Sequence, residues 1–185
     1  MKYHITQLPN LILSFIITKI FFNPARLVRL PIDLRNYRFI SFGKNFTTGR
    51  NNRFECYKIG NKTPKLVFDS NVQINDKCHI ACVESIYIGK NVLIASNVFI
   101  TDHDHGNLTK SVDFQIPWKY QKQFSKKVII KNNVWIGENV CILKGVTIGS
   151  NTVIAAGSIV TKNIPENSVV AGNPGRVIKI LNKDY

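Results

Sequence analysis

Cysteine is scarce, and its spacing excludes most of what cysteine does in proteins. The 185-residue chain has four: Cys56, Cys78, Cys82 and Cys141. Cys78 and Cys82 form a C-x3-C pair, but no second pair matches a zinc spacing. Free thiols in a reducing cytoplasm are therefore expected rather than a disulfide framework or a metal site. Long apolar runs are missing too. The richest, residues 8–22, holds about 15 residues, too few to span a bilayer comfortably. It has no clear basic n-region and no small-residue cleavage site, which argues against a signal peptide. Negative charge is sparse: 11 Asp and Glu stand against 25 Lys and Arg, a net charge of +14. That balance points to nucleic acid, an anionic membrane surface or a phosphorylated small molecule. No nucleic-acid-binding motif is recognisable, nor an aromatic-basic signature of one, so the last two partners are favoured.

The length suggests one domain, and 44% apolar with 19% charged residues is ordinary for a soluble protein. Neither a 3.6-residue nor a 2-residue apolar period runs through residues 130–161. The period there is six. Written in sixes from Ile130, the stretch reads IKNNVW, IGENVC, ILKGVT, IGSNTV, IAAGSI, VT. Ile130, Ile136, Ile142, Ile148, Ile154 and Val160 open the hexads, and Val134, Val140, Val146, Thr152 and Ser158 follow four places on. Polar residues and glycines fill the turning positions. Two inward residues per hexad describe short strands joined by tight corners. Three hexads close one triangular coil, and the coils stack as a parallel β-helix, each opening residue lying over its counterpart 18 positions later.

The first forty residues carry no hexads. In residues 8–22 the polar Asn10, Ser14 and Thr18 recur every four, so a helix here is apolar except for one narrow stripe. Arg26, Arg29, Arg35 and Arg38 follow it. An apolar helix followed by arginines suits an anionic membrane face. Capping the open end of the coil, or packing on a neighbouring subunit, are equal alternatives. Weaker hexads begin at Phe42, break over residues 60–65, resume at Phe68 and slip by two residues at Ile86 and Tyr87. The expected division is 1–40 as an N-terminal helical cap or membrane-surface segment, 41–162 as the repeat with a loop at 103–128, and 163–185 as the closing segment. A loop of some two dozen residues in so tight a repeat is usually functional. Trp118, Tyr120 and Phe124 serve to pack it or to stack on a sugar ring, and Lys110, Lys119, Lys122, Lys126 and Lys127 add charge. Val177 to Leu181 is compatible with a last strand or a short helix.

The hexads, the T-D-H-D-H segment at 101–105, and the closing V-T-K-x-I-P-x-x-S-V-V-A-G-x-P-x-R-V-I together resemble the hexapeptide-repeat acyltransferases. Within them the chain is most similar to the sugar and polysaccharide O-acetyltransferase branch, over residues 40–180. The resemblance implies an all-β solenoid, a left-handed parallel β-helix assembled as a homotrimer, with active sites between adjacent subunits. It implies acetyl-CoA as cosubstrate, no metal, and a cytoplasmic enzyme that acetylates a sugar hydroxyl of a surface polysaccharide or its precursor. His103 matches the family's general base; a neutral imidazole suits this task because its pKa lies near the working pH. The backbone N–H of Glu138 matches the oxyanion donor. Trp135 matches a tryptophan beside the substrate and pantetheine. His105 orients either His103 or the acceptor. Asp102 and Asp104 fix a histidine tautomer or serve as turn residues. Asn75 matches a position that contacts the acceptor, and Glu84 lies near another. Ala156 and Gly157 match small residues beside the pantetheine arm, Thr161 and Lys162 match the T-K that follows, and Lys162, Arg176 and Lys179 match basic positions near the adenosine phosphates. Transfer to a small free sugar or an amino-sugar nitrogen is the near alternative. A zinc carbonic anhydrase using His79, His103 and His105, and a non-catalytic scaffold, are alternatives of other classes.

Overall fold

The computed structural model describes residues 4–106, 116, 117 and 120–181. From Ile32 the chain visits three sheets in rotation. The first face takes strands Ile32–Arg35, Asn52–Cys56, His79–Cys82, Phe99–Thr101, Cys141–Ile142 and Ile159–Val160. The second takes Ile40–Phe42, Lys65–Phe68, Ser85–Ile88, Val128–Ile130 and Thr147–Ile148. The third takes Thr47–Thr48, Gln73–Ile74, Leu93–Ile94, Trp135–Ile136, Val153–Ile154 and Ser168–Ala171. Neighbours within each of these sets pair in parallel, so the chain winds as a three-sided coil. Arg176–Ile180, a strand, returns antiparallel on Ser168–Ala171 and ends the third face.

The hexad register is realised in the pairing. Ile130 lies beside Ile148, Ile136 beside Ile154 and Ile142 beside Val160, each eighteen residues on. All six are fully buried. Branched side chains stacked in register exclude water along the axis of the coil, and this burial is its main stabilising term. Toward the N-terminus aromatic rings take over: Phe42, Phe46, Phe54 and Phe68 pack with centroids 4.8 to 5.6 Å apart. The coil is longer than its legible hexads. Leu27 already bridges Thr47, and Val170 pairs with Ile154.

The corners explain the polar residues of the repeat. Between the second and third faces, Asn45, Asn71, Asn91, Asn133, Asn151 and Asn167 are left-handed, with φ between 54° and 61°. Asparagine tolerates that conformation better than most residues with a Cβ. Each amide Nδ2 donates to Oδ1 of the next at 3.0 Å, giving an unbroken ladder of five bonds. Between the third and first faces the backbones close up: a Cβ on Gly137 would fall 2.5 Å from the backbone nitrogen of Ala156. Between the first and second faces the corner is open to insertion. Residues 57–64 and the long excursion after Thr101 both leave the coil there.

Helix α1 (Leu8–Phe21) precedes the coil, with Pro9 tolerated in its first turn. Its orientation inverts the usual arrangement. Only Ser14 and Thr18 are buried in it, while Leu8, Ile12, Leu13, Phe15, Ile16, Ile20 and Phe21 are exposed. Thr18 Oγ1 accepts the N–H of Val28 at 2.8 Å, and Ser14 Oγ accepts that of Leu30 at 3.1 Å. The open end of the coil is sealed instead by the chain after the helix, with Ala25 and Val28 buried and Phe22 set edge-on to Phe42.

Candidate active site

Ile100 points into the core, so its neighbours Phe99 and Thr101 face outward from the first face. The chain then turns at Asp102. It departs as strand His103–His105, which pairs antiparallel with Gln123–Ser125, so the long excursion leaves and returns as a ribbon. Of the residues expected in this loop, Lys110, Trp118 and Lys119 lie outside the described residues. Tyr120 is exposed, and Lys122 lies over the ring of Phe124 at 5.7 Å.

Asp102 is fully buried. Its Oδ1 accepts the N–H of Val83 at 2.9 Å, and its Oδ2 accepts those of Glu84 and Ser85 at 2.8 Å. The thiol of Cys82 points at Oδ2 from 3.6 Å. Burial alone would raise the pKa of this carboxyl. The contact with His103 and the three backbone donors outweigh burial and hold it below the ordinary range. Nδ1 of His103 lies 3.2 Å from Oδ1 of Asp102 and 3.1 Å from Oγ1 of Thr101. An ionised carboxylate only accepts, so the ring proton belongs on Nδ1. In the neutral ring Nε2 then keeps its lone pair. The His103 side chain is 14% exposed, enough to meet a ligand yet held in place.

The same corner carries further polar anchors. Glu84 Oε2 accepts from Ser125 Oγ and Lys62 Nζ, each at 2.7 Å, tying both excursions of this corner to the coil. Lys62 first, then Ser125, holds the Glu84 carboxyl below its ordinary pKa. Asp104 forms an ion pair with Lys144 of the next coil. His105 is exposed, with Nδ1 3.2 Å from the Gln123 amide and its ring 6.1 Å from that of His103. The contacts on Nδ1 of His103 come from Thr101 and Asp102.

The remaining candidates are spread along the coil. Thr161 and Lys162 follow Ile159–Val160 on the corner that carries His103, further along the coil. Asn75, Glu138, Ala156 and Gly157 lie on the corner between the third and first faces. Trp135 projects from the third face, half exposed, beside Leu93 and Val153. Gly157 donates its N–H to the carbonyl of Glu138 at 2.8 Å, and the Glu138 carboxylate accepts from Asn97. Asn75 lines a groove of about 440 Å³ with Arg26, Arg29 and Gln73. Arg176 and Lys179 project from the exposed last strand. Within one chain the first face separates His103 from Glu138, Ala156 and Trp135, so these groups are not brought together.

The first face also carries a polar cluster outside the hexad pattern. Glu55, 5% exposed, accepts from Arg53 Nε and Tyr57 Oη at 2.7 Å, and its Oε1 lies 2.8 Å from Nε2 of His79. Burial raises its pKa, but Tyr57, His79 and Arg53 together lower it below the ordinary range. Alternate residues of a strand share a face, and that spacing, R-x-E-x-Y, was a readable signal. His79 is thus engaged by Glu55. Among the described residues no three His, Cys, Asp or Glu side chains gather as a metal-ligand group.

Comparison with known proteins gives three concordant findings. Residues 127–162 match the model described as bacterial transferase hexapeptide (six repeats), and residues 80–102 match that described as hexapeptide repeat of succinyl-transferase. The chain is 40% identical over 186 residues to the putative lipopolysaccharide biosynthesis O-acetyl transferase WbbJ of Escherichia coli K12, covering 99% of this chain and 93% of that protein. A galactoside acetyltransferase solved in complex with coenzyme A superposes with a TM-score of 0.52 at 34% identity, over 83% of this chain and 70% of that one. The hexapeptide-repeat acetyltransferase VCA0836 of Vibrio cholerae, complexed with acetyl coenzyme A, is alike in fold, with a TM-score of 0.60 at 24% identity, over 86% and 69%.

Proposed function

Because this chain belongs to the hexapeptide-repeat acyltransferases, a family of enzymes, we propose that it moves an acetyl group from acetyl-CoA to a sugar hydroxyl. The acceptor is a surface polysaccharide such as lipopolysaccharide, or its precursor. The observation that carries this reading is the contact of His103 Nδ1 with buried Asp102, which in the neutral ring leaves the lone pair on Nε2. Nε2 takes the hydroxyl proton as the sugar oxygen attacks the thioester carbonyl. The C–S bond then breaks, and the proton passes from the imidazole to the departing CoA sulfur. Asp102 stabilises the imidazolium formed in between, as a carboxylate does in a Ser-His-Asp triad. The acetyl group ends on the sugar oxygen, and CoA leaves as the thiol.

The coil in this reading is a left-handed parallel β-helix, and three copies share three sites. The split of candidates between two corners supports a shared cleft. His103, Lys144, Thr161 and Lys162 on one protomer face Trp135, Glu138, Ala156 and Gly157 on the next. The backbone N–H of Glu138 receives the developing oxyanion, and the lysines meet the phosphates of CoA. The functional division remains a helical N-terminal segment, the repeat, and a closing segment. The enzyme works where acetyl-CoA is available, in the cytoplasm. Among the described residues no helix is long and apolar enough to cross a membrane.

The test is incubation with acetyl-CoA and candidate glycans, followed by mass detection of an added acetyl group. His103→Ala is expected to lower kcat by roughly 10²- to 10⁴-fold, the usual contribution of a positioned base. CoA binding, read by calorimetry, persists in that variant. Full transfer activity in His103→Ala overturns the mechanism, and an absence of CoA binding by the native protein overturns the function.

A further inference from the structure

The outward face of α1 has no counterpart in the acetyl-transfer machinery. We propose that α1 docks the enzyme on an anionic lipid bilayer, lying in its interface with the apolar side down.

Three observations lead there. The first is the inversion already described. Ser14 and Thr18 spend their hydroxyls on the backbone of residues 28 and 30 and turn the apolar residues outward. Ile12, Ile16 and Ile20 are 58%, 49% and 64% exposed, and Phe15 and Leu13 flank them at 51% and 50%. At 3.6 residues per turn these residues and Leu8 cover an arc of roughly 160°. A patch of this kind marks an interaction surface.

The second is charge. Residues 1–32 contain no Asp or Glu, but carry Lys2, Lys19, Arg26 and Arg29. Lys19 lies inside the apolar arc, in the last turn of α1, with Nζ 5.4 Å from the ring centroid of Phe15. A second α1 packed on this face would bury Lys19 against a helix with no acidic residue to pair it. A lipid phosphate pairs it directly, because a lysine at the end of an interfacial helix reaches up to the headgroups.

The third is size. Fourteen residues span about 21 Å, less than the roughly 30 Å hydrocarbon core, so α1 lies on the bilayer rather than crossing it. Beside it a groove of about 430 Å³, lined by Ile17, Phe21, Ile32, Leu34 and Tyr37, continues the apolar surface onto the coil. The proposal does not depend on the identity of the acyl acceptor.

The test is flotation of the full chain with vesicles of phosphatidylcholine alone, and of phosphatidylcholine with phosphatidylglycerol at a ratio of about 7:3, at low and high salt. A basic residue near an anionic surface contributes about 1 kcal/mol, so Lys19→Gln is expected to lower the partition coefficient about fivefold. The Ile12→Glu/Ile16→Glu variant is expected to lose binding by at least about tenfold, since each change puts a charge where an apolar side chain enters the interface. Both positions are exposed, so thermal melts of the variants should match the native chain. Light scattering should give all three proteins one mass, and CoA binding should be equal, which separates this test from that of the acetyl-transfer reading. Failure of the native protein to bind anionic vesicles overturns the proposal. So does a drop in mass for the double variant, which would assign the face to a contact between copies. Equal binding to both kinds of vesicle, or unchanged binding by Lys19→Gln, overturns the part played by charge. If the double variant does not fold, Lys19→Gln and the salt series still decide.

Discussion

Oδ1 of Asp102 lies 3.2 Å from Nδ1 of His103, while the same carboxylate accepts three successive backbone N–H groups, from Val83, Glu84 and Ser85. One side chain thus fixes both the imidazole and the corner of the preceding coil. Asp102→Asn should separate the two roles. It keeps an acceptor for part of the backbone set but loses the charge that stabilises an imidazolium. The expected outcome is a fall in kcat of about 10²-fold or more, with KM for acetyl-CoA little changed. A parallel melt should show a loss of about 1–3 kcal/mol from the imperfectly satisfied donors. A shifted pH–rate profile would mark a positioning role for Asp102 that simple destabilisation does not produce.

Acid should unfold this protein through a few particular carboxylates. Asp102, Glu55, Glu84 and Asp69, whose carboxylate accepts from the Ser70 N–H and Tyr87 Oη, all have folded-state pKa values below the ordinary range. Each therefore contributes stability that is fully present above the unfolded carboxylate pKa, near about 4. That contribution is lost as pH falls through the lower folded values. Urea midpoints should hold steady from neutrality down to about pH 5, then drop steeply below about pH 4. Glu55→Gln should flatten part of that drop.

Removing the asparagine ladder at one rung should be costly. Asn91 has φ of 57° and is bonded to Asn71 on one side and Asn133 on the other. Asn91→Ala loses both amide bonds and forces alanine into the left-handed region, an expected loss of about 2–3 kcal/mol. Asn91→Gly restores the backbone freedom but not the bonds, and should recover about 1 kcal/mol of that. Denaturant titration of the two variants reads the difference.

Lys162 lies on the corner that carries His103, and the proposed mechanism gives it phosphate binding rather than proton transfer. Lys162→Ala should raise KM for acetyl-CoA about 5- to 30-fold, the loss of one charge-assisted phosphate contact, with kcat nearly intact at saturation. Steady-state kinetics at varied acetyl-CoA is the measurement.

Much of this was written in the hexads. Their phase named the inward residues from Ile88 to Val160 and the spacing at which they stack, because the column in those coils is built from branched apolar side chains. The first coils were harder to read. There Phe46 and Phe54 fill the core, and residues 57–64 stretch the partner of Phe54 to Ile80. His103 was visible from its motif, and the residues flanking it, Thr101 and Asp102, prove to be its partners. Lys144 was not visible beside Asp104, because that contact joins residues forty apart across an excursion. The stripe Asn10, Ser14, Thr18 was visible too, but its direction was not. A row of hydroxyls satisfies water and a backbone edge equally well, and only the N–H groups of Val28 and Leu30 decide between them.

The asparagine ladder has one rung that is unlike the rest. Asn91 bonds to Asn133, forty-two residues on, yet at the same 3.0 Å as the others. All the chain between Thr101 and Val128 is added without disturbing the stacking of the turns above and below it. An enzyme built this way can exchange the inserted segment wholesale, in length as well as composition, while the frame that holds the imidazole keeps its shape. Change at this corner then enters by splicing at one seam rather than by gradual repacking of an interior.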